Sequence, residues 1–166
     1  MKIYRIQGEK MKTLGLRVSP KVVTFCIADR VGDLVNIDIV DKINVPVMMT
    51  EPDRLSFLRN IVFTIINQYE VESAVIRRME DNSRTISITR ANIEGVLQEL
   101  ISNCRVSYYK ACKLSQLSSL LHKTASELKE CVNGENAFEI DNWQKFSSEE
   151  RESILCALAA SELWEE

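Results

Sequence analysis

The sequence predicts one α/β domain in which a three-stranded antiparallel meander precedes alternating helices and parallel strands. Three extended runs stand close together, at 13–18, 22–28 and 34–40, and turn-forming residues separate them. Downstream, apolar residues at three- and four-residue spacing alternate with short apolar runs, which is typical of helices between buried strands. A length of 166 residues suits one ordinary domain, so we expect a single domain over 1–166.

The first half of the chain contains the meander and a long helix. The run 34–40 alternates with period two, as a half-buried strand does. Residues 1–11 are polar and basic, and we expect an irregular arm or an added edge strand there. The Glu-Pro-Asp sequence at 51–53 predicts a helix start. The apolar face of that helix is formed by Leu55, Leu58, Ile61, Val62, Ile65, Ile66 and Tyr69.

The second half alternates between strands and helices. The run 74–76 is short and wholly apolar, which predicts a buried parallel strand. A helix from about residue 89, a strand at 106–109 and one or two leucine-rich helices over 114–128 follow it.

The end of the chain is predicted to be a loop and a final helix. Residues 133–146 contain Gly134 and no helical period in their first part, so we expect a loop there before the C-terminal helix. Ser147 and Glu150 fit a capping box at the start of that helix.

Composition excludes several classes of function. The net charge of −3 provides no global field that attracts nucleic acid, so any phosphate binding requires a local patch. Five cysteines without a C-x-x-C pair, and a single histidine, argue against structural zinc. The odd cysteine count and the lack of a signal peptide predict a reducing, cytoplasmic location. No apolar run approaches the roughly 18 residues that cross a bilayer, so no membrane partner is expected.

Four stretches carry a resemblance to a known fold family. Residues 14–19 (LGLRVS) are similar to a first-strand motif in which a hydrophobic-Gly-hydrophobic segment ends in Asp. Residues 73–78 (SAVIRR) are similar to a fourth strand that ordinarily ends in Glu. Residues 108–121 resemble the segment after the fifth strand, and residues 149–158 resemble a terminal helix that begins with two acids three residues apart. The family is the ribonuclease H-like superfamily, and the resemblance is closest to RuvC-type Holliday-junction resolvases.

A narrower resemblance concerns residues 75–100. They are similar to small uncharacterised bacterial proteins on this fold, in which an arginine-rich segment follows the fourth strand. The ribonuclease H-like resemblance implies two divalent ions, Mg²⁺ or Mn²⁺, held by three or four carboxylates, with one ion activating water for attack on a phosphodiester.

The resemblance also implies which positions once held the metal. Its first acid falls on Arg17, its second on Arg77, and its terminal pair on Glu149 and Glu152. Guanidinium groups stay cationic and offer no lone pair, so they cannot bind a metal. We therefore expect a degenerate former active site with no catalytic residue, metal or cofactor. Nearby acids, of which Glu80 is one, are expected to lie outside this site, since loop geometry would have to move them into it.

Two interpretations of these charges remain open. In one, five cations form an anion or nucleic-acid site: Arg17, Lys21, Arg77, Arg78 and Arg84. In the other, which we favour, Glu149 and Glu152 pair with the two strand arginines and close the cleft. Trp164, near the C-terminus, is expected to be exposed and is a candidate contact for a partner.

The leading hypothesis is a catalytically inactive ribonuclease H-like domain that acts as a binding or adaptor protein in the bacterial cytoplasm. Its expected partner is another protein or a second copy of itself, with nucleic acid as the second choice. One alternative is a metal-dependent, resolvase-like nuclease with a rearranged acidic site built from Glu149, Glu152 and Glu94. The other alternative is a sequence-independent nucleic-acid binder.

Overall fold

The computed structural model describes residues 10–165, which form a five-stranded mixed sheet with helices on both faces. The elements in chain order are β1 (Lys10–Val18), β2 (Val22–Val31), β3 (Leu34–Asn44), α1 (Glu51–Gln68), β4 (Ser73–Arg77), α2 (Ile88–Ser102), β5 (Tyr108–Cys112), α3 (Leu114–Leu120), α4 (Ala125–Asn133) and α5 (Ser148–Ala160). Short 3-10 turns precede and follow α5, at Trp143–Lys145 and Leu163–Glu165. No helix in the described part of the chain is long and apolar enough to cross a membrane.

The strand order across the sheet is β3-β2-β1-β4-β5. The first three strands pair antiparallel, whereas β4 pairs parallel to β1 and β5 pairs parallel to β4. The predicted fold class, a meander followed by alternating helices and parallel strands, is confirmed. The carboxyl ends of β1, β4 and β5 therefore meet at one edge of the sheet, which we call the carboxyl edge.

Several predicted boundaries are wrong, since β1 to β4 all extend beyond the runs predicted at 13–18, 22–28, 34–40 and 74–76. The fifth strand is Tyr108–Cys112 rather than 106–109, because its backbone pairs with β4 from Ser73 to Arg77. Residues 10 and 11 are not part of an arm, since both belong to β1 and pair with β2. The rest of the predicted arm, residues 1–9, lies outside the described residues.

The sheet separates two apolar layers. Leu14 and Leu16 of β1 face the layer that α1 and α2 cover, and Ile93 and Leu97 of α2 are buried there. The opposite layer contains α3, α4 and α5. Because side chains alternate along a strand, Gly15 and its neighbours two residues away face α5.

Gly15 lets α5 lie directly on β1. A Cβ atom at Gly15 would stand 1.9 Å from the carbonyl oxygen of Ser153 and 2.4 Å from the backbone nitrogen of Ala157. The Thr13 hydroxyl donates a hydrogen bond to the carbonyl of Ala157 at 3.0 Å. Backbone is thus packed against backbone, and the rotation of α5 about its axis is fixed.

The start of α5 is fixed by its cap and by a buried arginine. The predicted capping box is present, with Glu150 N donating to Ser147 Oγ at 3.2 Å and Ser147 N donating to Glu150 Oε2 at 2.7 Å. Arg151 is buried and donates from Nε to the carbonyl of Trp143 at 3.2 Å and from a terminal nitrogen to that of Val132 at 3.1 Å. The segment before α5 is therefore tied to the helix.

Substituting Gly15 by alanine tests this close packing. The added methyl group must displace the α5 backbone, so we expect the free energy of unfolding to fall by about 3 kcal/mol. Gly95 provides the matched control, because it is exposed in the middle of α2 and a Cβ there would meet no atom within 4 Å. Gly95→Ala should stabilise the protein by about 0.5–1 kcal/mol. Urea denaturation measures both, and equal stabilities of the two variants would contradict the packing argument.

Candidate functional site

Arg17 and Arg77 lie side by side at the carboxyl edge. They are register partners in the parallel pairing of β1 with β4. Only 15% of the Arg17 side chain and 11% of the Arg77 side chain is exposed. Two cations that are mostly removed from water need anionic partners close by.

Glu152 of α5 provides the shared anion. Its Oε2 atom accepts a hydrogen bond from Nε of Arg17 at 3.1 Å. The same oxygen lies 3.4 Å from Nε of Arg77, as an ion pair that lacks hydrogen-bond geometry. One carboxylate oxygen therefore serves both guanidinium groups. The hydrogen-bonded contact to Arg17 is the better directed of the two.

Glu80 completes the cluster, which corrects the expectation that it lies outside the site. A terminal nitrogen of Arg77 lies 2.9 Å from Oε1 of Glu80, and that oxygen also accepts a hydrogen bond from Leu114 N at 2.9 Å. The i, i+3 spacing of Arg77 and Glu80 is the signal that the sequence offers for this ion pair. The two side chains come into contact only because of the turn after β4. We call Arg17, Arg77, Glu80 and Glu152 the arginine–glutamate cluster; its formal charges sum to zero.

Glu149 does not take part in this cluster. In the described part of the chain, no arginine or lysine lies within ion-pair distance of its half-buried side chain. It occupies the first turn of α5, where the helix N-terminus favours a carboxylate. The favoured interpretation, that both glutamates pair with the strand arginines, therefore holds for Glu152 and not for Glu149.

The other predicted cations remain open to solvent. Lys21 lies at the β1–β2 turn, and Arg78 and Arg84 lie between β4 and α2; all three are therefore at the carboxyl edge. Lys21 and Arg84 are exposed and Arg78 is half-buried. Among residues 10–165, no carboxylate lies within 4.0 Å of their charged atoms. Of the five predicted cations, Arg17 and Arg77 are thus neutralised by carboxylates. We call the other three, which form no ion pair with the described residues, the open cations.

The site does not fit the two divalent ions that the resemblance implies. The described residues contain no group of three or more His, Cys, Asp or Glu side chains that could hold a metal. Guanidiniums stand at two of the positions, and the Oε2 of Glu152 already faces both of them. Burial raises the pKa of the Cys156 thiol well above its ordinary value, and the Glu152 charge raises it further.

Glu94 takes part in a different ion pair, with Arg90. It is buried, lies 2.7 Å from Nε of Arg90 and accepts a hydrogen bond from Met79 N at 3.3 Å. A rearranged acidic site that uses Glu94 would have to break this ion pair.

Trp164 is not the exposed contact that the sequence predicts. The Arg30 guanidinium lies 4.9 Å from the centre of its ring, and the residue is half-buried. Arg30 is itself buried, so the pair holds the C-terminal turn against the end of β2.

Known proteins are similar to this chain in structure. No protein-family model matches the chain, and no curated protein matches it in sequence. The structure is similar to that of Thermus thermophilus RuvC, with a TM-score of 0.69 and 11% identity over 91% of this chain and 93% of that one. It is also similar to T. thermophilus RuvC in complex with a Holliday junction substrate, with a TM-score of 0.66 and 10% identity over 91% of this chain and 92% of that one.

A third similar structure is the yeast mitochondrial Holliday junction resolvase Ydc2. Its TM-score is 0.58, with 16% identity over 93% of this chain and 79% of that one. The predicted ribonuclease H-like fold, in the form that RuvC-type resolvases have, is confirmed by these similarities. Identities this low support the fold and carry no function with them.

Replacing Glu152 by glutamine tests the cluster. The variant leaves Arg17 and Arg77 mostly buried with Glu80 as their only close anion, so we expect the free energy of unfolding to fall by about 2–3 kcal/mol. Glu149→Gln, on the same helix, removes no ion pair and should change it by less than about 0.5 kcal/mol. Urea denaturation at neutral pH compares them, and similar effects of the two substitutions would show that the cluster does not stabilise the fold.

Proposed function

We propose that this chain is a catalytically inactive ribonuclease H-like domain that acts as a binding protein. The observation that carries the proposal is that Arg17 and Arg77, which stand where the resemblance implies acids, both contact Glu152. Phosphodiester hydrolysis of the metal-dependent kind needs carboxylates that are free to hold the ions. Here the central carboxylate is neutralised by side chains of the same chain.

The carboxyl edge supports a protein as the partner. Five apolar side chains are exposed there, by 40 to 96%: Val47, Met48, Met49, Ile86 and Ile88. They precede or begin α1 and α2, whose first turns are joined by a hydrogen bond from Asn92 to Glu51 at 2.5 Å. Exposed apolar groups near one another are typical of protein interaction sites, and methionine adapts readily to a partner. The partner is a different protein or a second copy of this chain.

Nucleic acid is the second candidate partner. The specific observation in its favour is the set of open cations at the same edge, Lys21, Arg78 and Arg84. One of the similar structures is a RuvC in complex with a Holliday junction substrate. Since the whole chain carries a charge of −3, such binding would be weak and steeply dependent on salt.

We further propose a reducing compartment, the bacterial cytoplasm, as the location. None of the five cysteines, all of which lie in the described part of the chain, forms a disulfide, and the four buried ones pack as small apolar side chains.

A nuclease assay tests the inactivity. The full chain is incubated with a four-way DNA junction and with single-stranded DNA, in Mg²⁺ and separately in Mn²⁺. We expect no cleavage above that of the Glu149→Ala and Glu152→Ala variants, with an active resolvase as positive control. Metal-dependent cleavage by the native chain that is lost in either variant would overturn the proposal and support the rearranged-site nuclease.

A charge-reversal series tests the nucleic-acid candidate. Arg78→Glu combined with Arg84→Glu should weaken binding to a labelled four-way junction at least tenfold. It should also lower the slope of log affinity against log salt by about 2, because two phosphate contacts are removed. Arg105→Glu is the matched control for each of the two single reversals, since it makes the same change in charge and Arg105 is exposed by 42% near the opposite edge. Fluorescence anisotropy measures all of these variants; binding equal to that of the native chain in every one, or none at low salt, would leave a protein as the remaining partner.

A further inference from the structure

The strand β3 forms an open edge of the sheet. Among the described residues, β3 has a hydrogen-bonded neighbour on one side only, which is β2. Leu34, at its start, is 71% exposed. One row of backbone N–H and C=O groups is therefore available to pair with another extended chain.

Two adjoining cavities lie beside this edge, on the face that α5 covers. Their volumes are about 400 and 440 Å³. They share Val35, Glu139 and Ile140, so they form one groove between β3 and the segment before α5. Apolar side chains form part of its lining, and those that pack on the α5 side are Val35, Ile37, Val40, Phe138 and Ile140. Apolar side chains of a partner would be removed from water there.

The rim of the groove is acidic. Among residues 10–165, its lining includes no lysine or arginine but five carboxylates: Asp33, Asp38, Glu139, Asp141 and Glu162. Asp38 is paired with Lys12 at 2.8 Å, and Arg30 lies 3.6 Å from Glu162 and 4.0 Å from Asp33. No cation of the described chain lies within ion-pair distance of Glu139 or Asp141. Glu139 and Asp141 can thus form ion pairs with cationic side chains of a partner.

The wall opposite β3 is held in place by its own contacts. Asn136 exchanges two hydrogen bonds with the backbone of Ile140, each at 2.9 Å. Glu139 and Asn142 adopt left-handed backbone conformations, with φ of 54° and 60°. Residues other than glycine adopt this conformation at some cost, which the surrounding contacts must outweigh. A wall that is already ordered loses little conformational freedom when a partner binds.

We propose that this groove binds an extended, basic segment of another protein, which adds to β3 as a further strand. The pairing would involve residues 34–37, because the regular edge is interrupted at Asp38. The register of the β2–β3 pairing shifts there, so that Asp38 lies opposite no residue of β2. Side chains of an added strand alternate between the two faces. Both the apolar and the basic side chains that contact the groove would therefore lie on the α5 face, two residues apart. The apolar ones would enter the groove, and lysine or arginine on the same face would pair with Glu139 and Asp141.

Charge favours a basic protein segment over nucleic acid or a second copy of this chain as the occupant of the groove. The acidic rim repels nucleic-acid phosphates, and a second copy of this chain would bring together two acidic rims and two molecules of charge −3. The groove is separate from the cations of the carboxyl edge, and the inference does not depend on whether the domain is inactive. Its test uses neither metal nor nucleic acid, so its failure is distinguishable from failure of the proposed function.

Three synthetic heptapeptides provide the probes. The first has threonine at its odd positions and lysine, valine and lysine at its even positions, so that the lysines and the central valine share one face. The second replaces every lysine by glutamate, and the third carries proline at the central valine, which removes a backbone donor. Binding to the full isotope-labelled chain is followed by amide chemical shifts and by anisotropy of a labelled peptide. We expect the lysine peptide to shift residues 34–37 and 138–142 and to bind at least tenfold more tightly than the proline peptide, with no binding of the glutamate peptide.

Charge-reversal variants complete the test. Glu139→Lys with Asp141→Lys should weaken binding of the lysine peptide at least tenfold. The control, Glu70→Lys with Glu99→Lys, makes the same change in net charge at exposed acids outside the groove and should leave binding unchanged. The proposal is wrong if no peptide binds at millimolar concentration, if the glutamate or proline peptide binds equally, or if the shifts lie at the carboxyl edge. If the groove variant fails to fold, the shift map of the native chain decides.

Discussion

The missing side chain at Gly15 is the constraint from which the site follows. With no Cβ there, the backbone of α5 approaches that of β1, at the carbonyl of Ser153 and the nitrogen of Ala157. Glu152, one residue before Ser153, is thereby placed over the ends of β1 and β4. Any larger residue at position 15 would move the helix outward and with it Glu152, the one carboxylate of residues 10–165 that reaches both Arg17 and Arg77.

The arginine–glutamate cluster specifies a conformation more than it adds stability. Burying charges costs desolvation free energy that their attraction repays only in part, so such clusters contribute little compared with apolar packing. Removing one member of such a cluster is nevertheless strongly destabilising, because it leaves a buried charge without compensation. Glu80 connects Arg77 to the first residue of α3, and Glu152 connects both strands to α5. The cluster thus fixes how three separate segments meet at the carboxyl edge.

The sequence predicts those features that depend on local pattern. Alternation identifies the meander, and the spacing of Ser147 and Glu150 identifies the start of α5. The predicted fifth strand starts two residues and ends three residues too early, because its register depends on its pairing with β4, which no local pattern encodes. The part of Glu80 in the cluster depends on a turn, and the acidic groove depends on segments brought together from about 33–40, 120–122 and 138–142. Tertiary contacts of this kind cannot be read from spacing.

The helix α5 links the two surfaces that we propose for binding. Its first turns contain Glu152 of the cluster at the carboxyl edge, while Leu158 in its last turn lines the acidic groove, together with Ser161 and Glu162 just after the helix. Close-packed elements do not deform continuously, and α5 is held at Gly15, at its cap and by Arg151. The helix can therefore neither slide nor rotate without losing all three contacts. A cationic, apolar edge and an acidic groove are thus presented at a fixed separation, and this rigidity suits a protein that holds two partners of unlike charge.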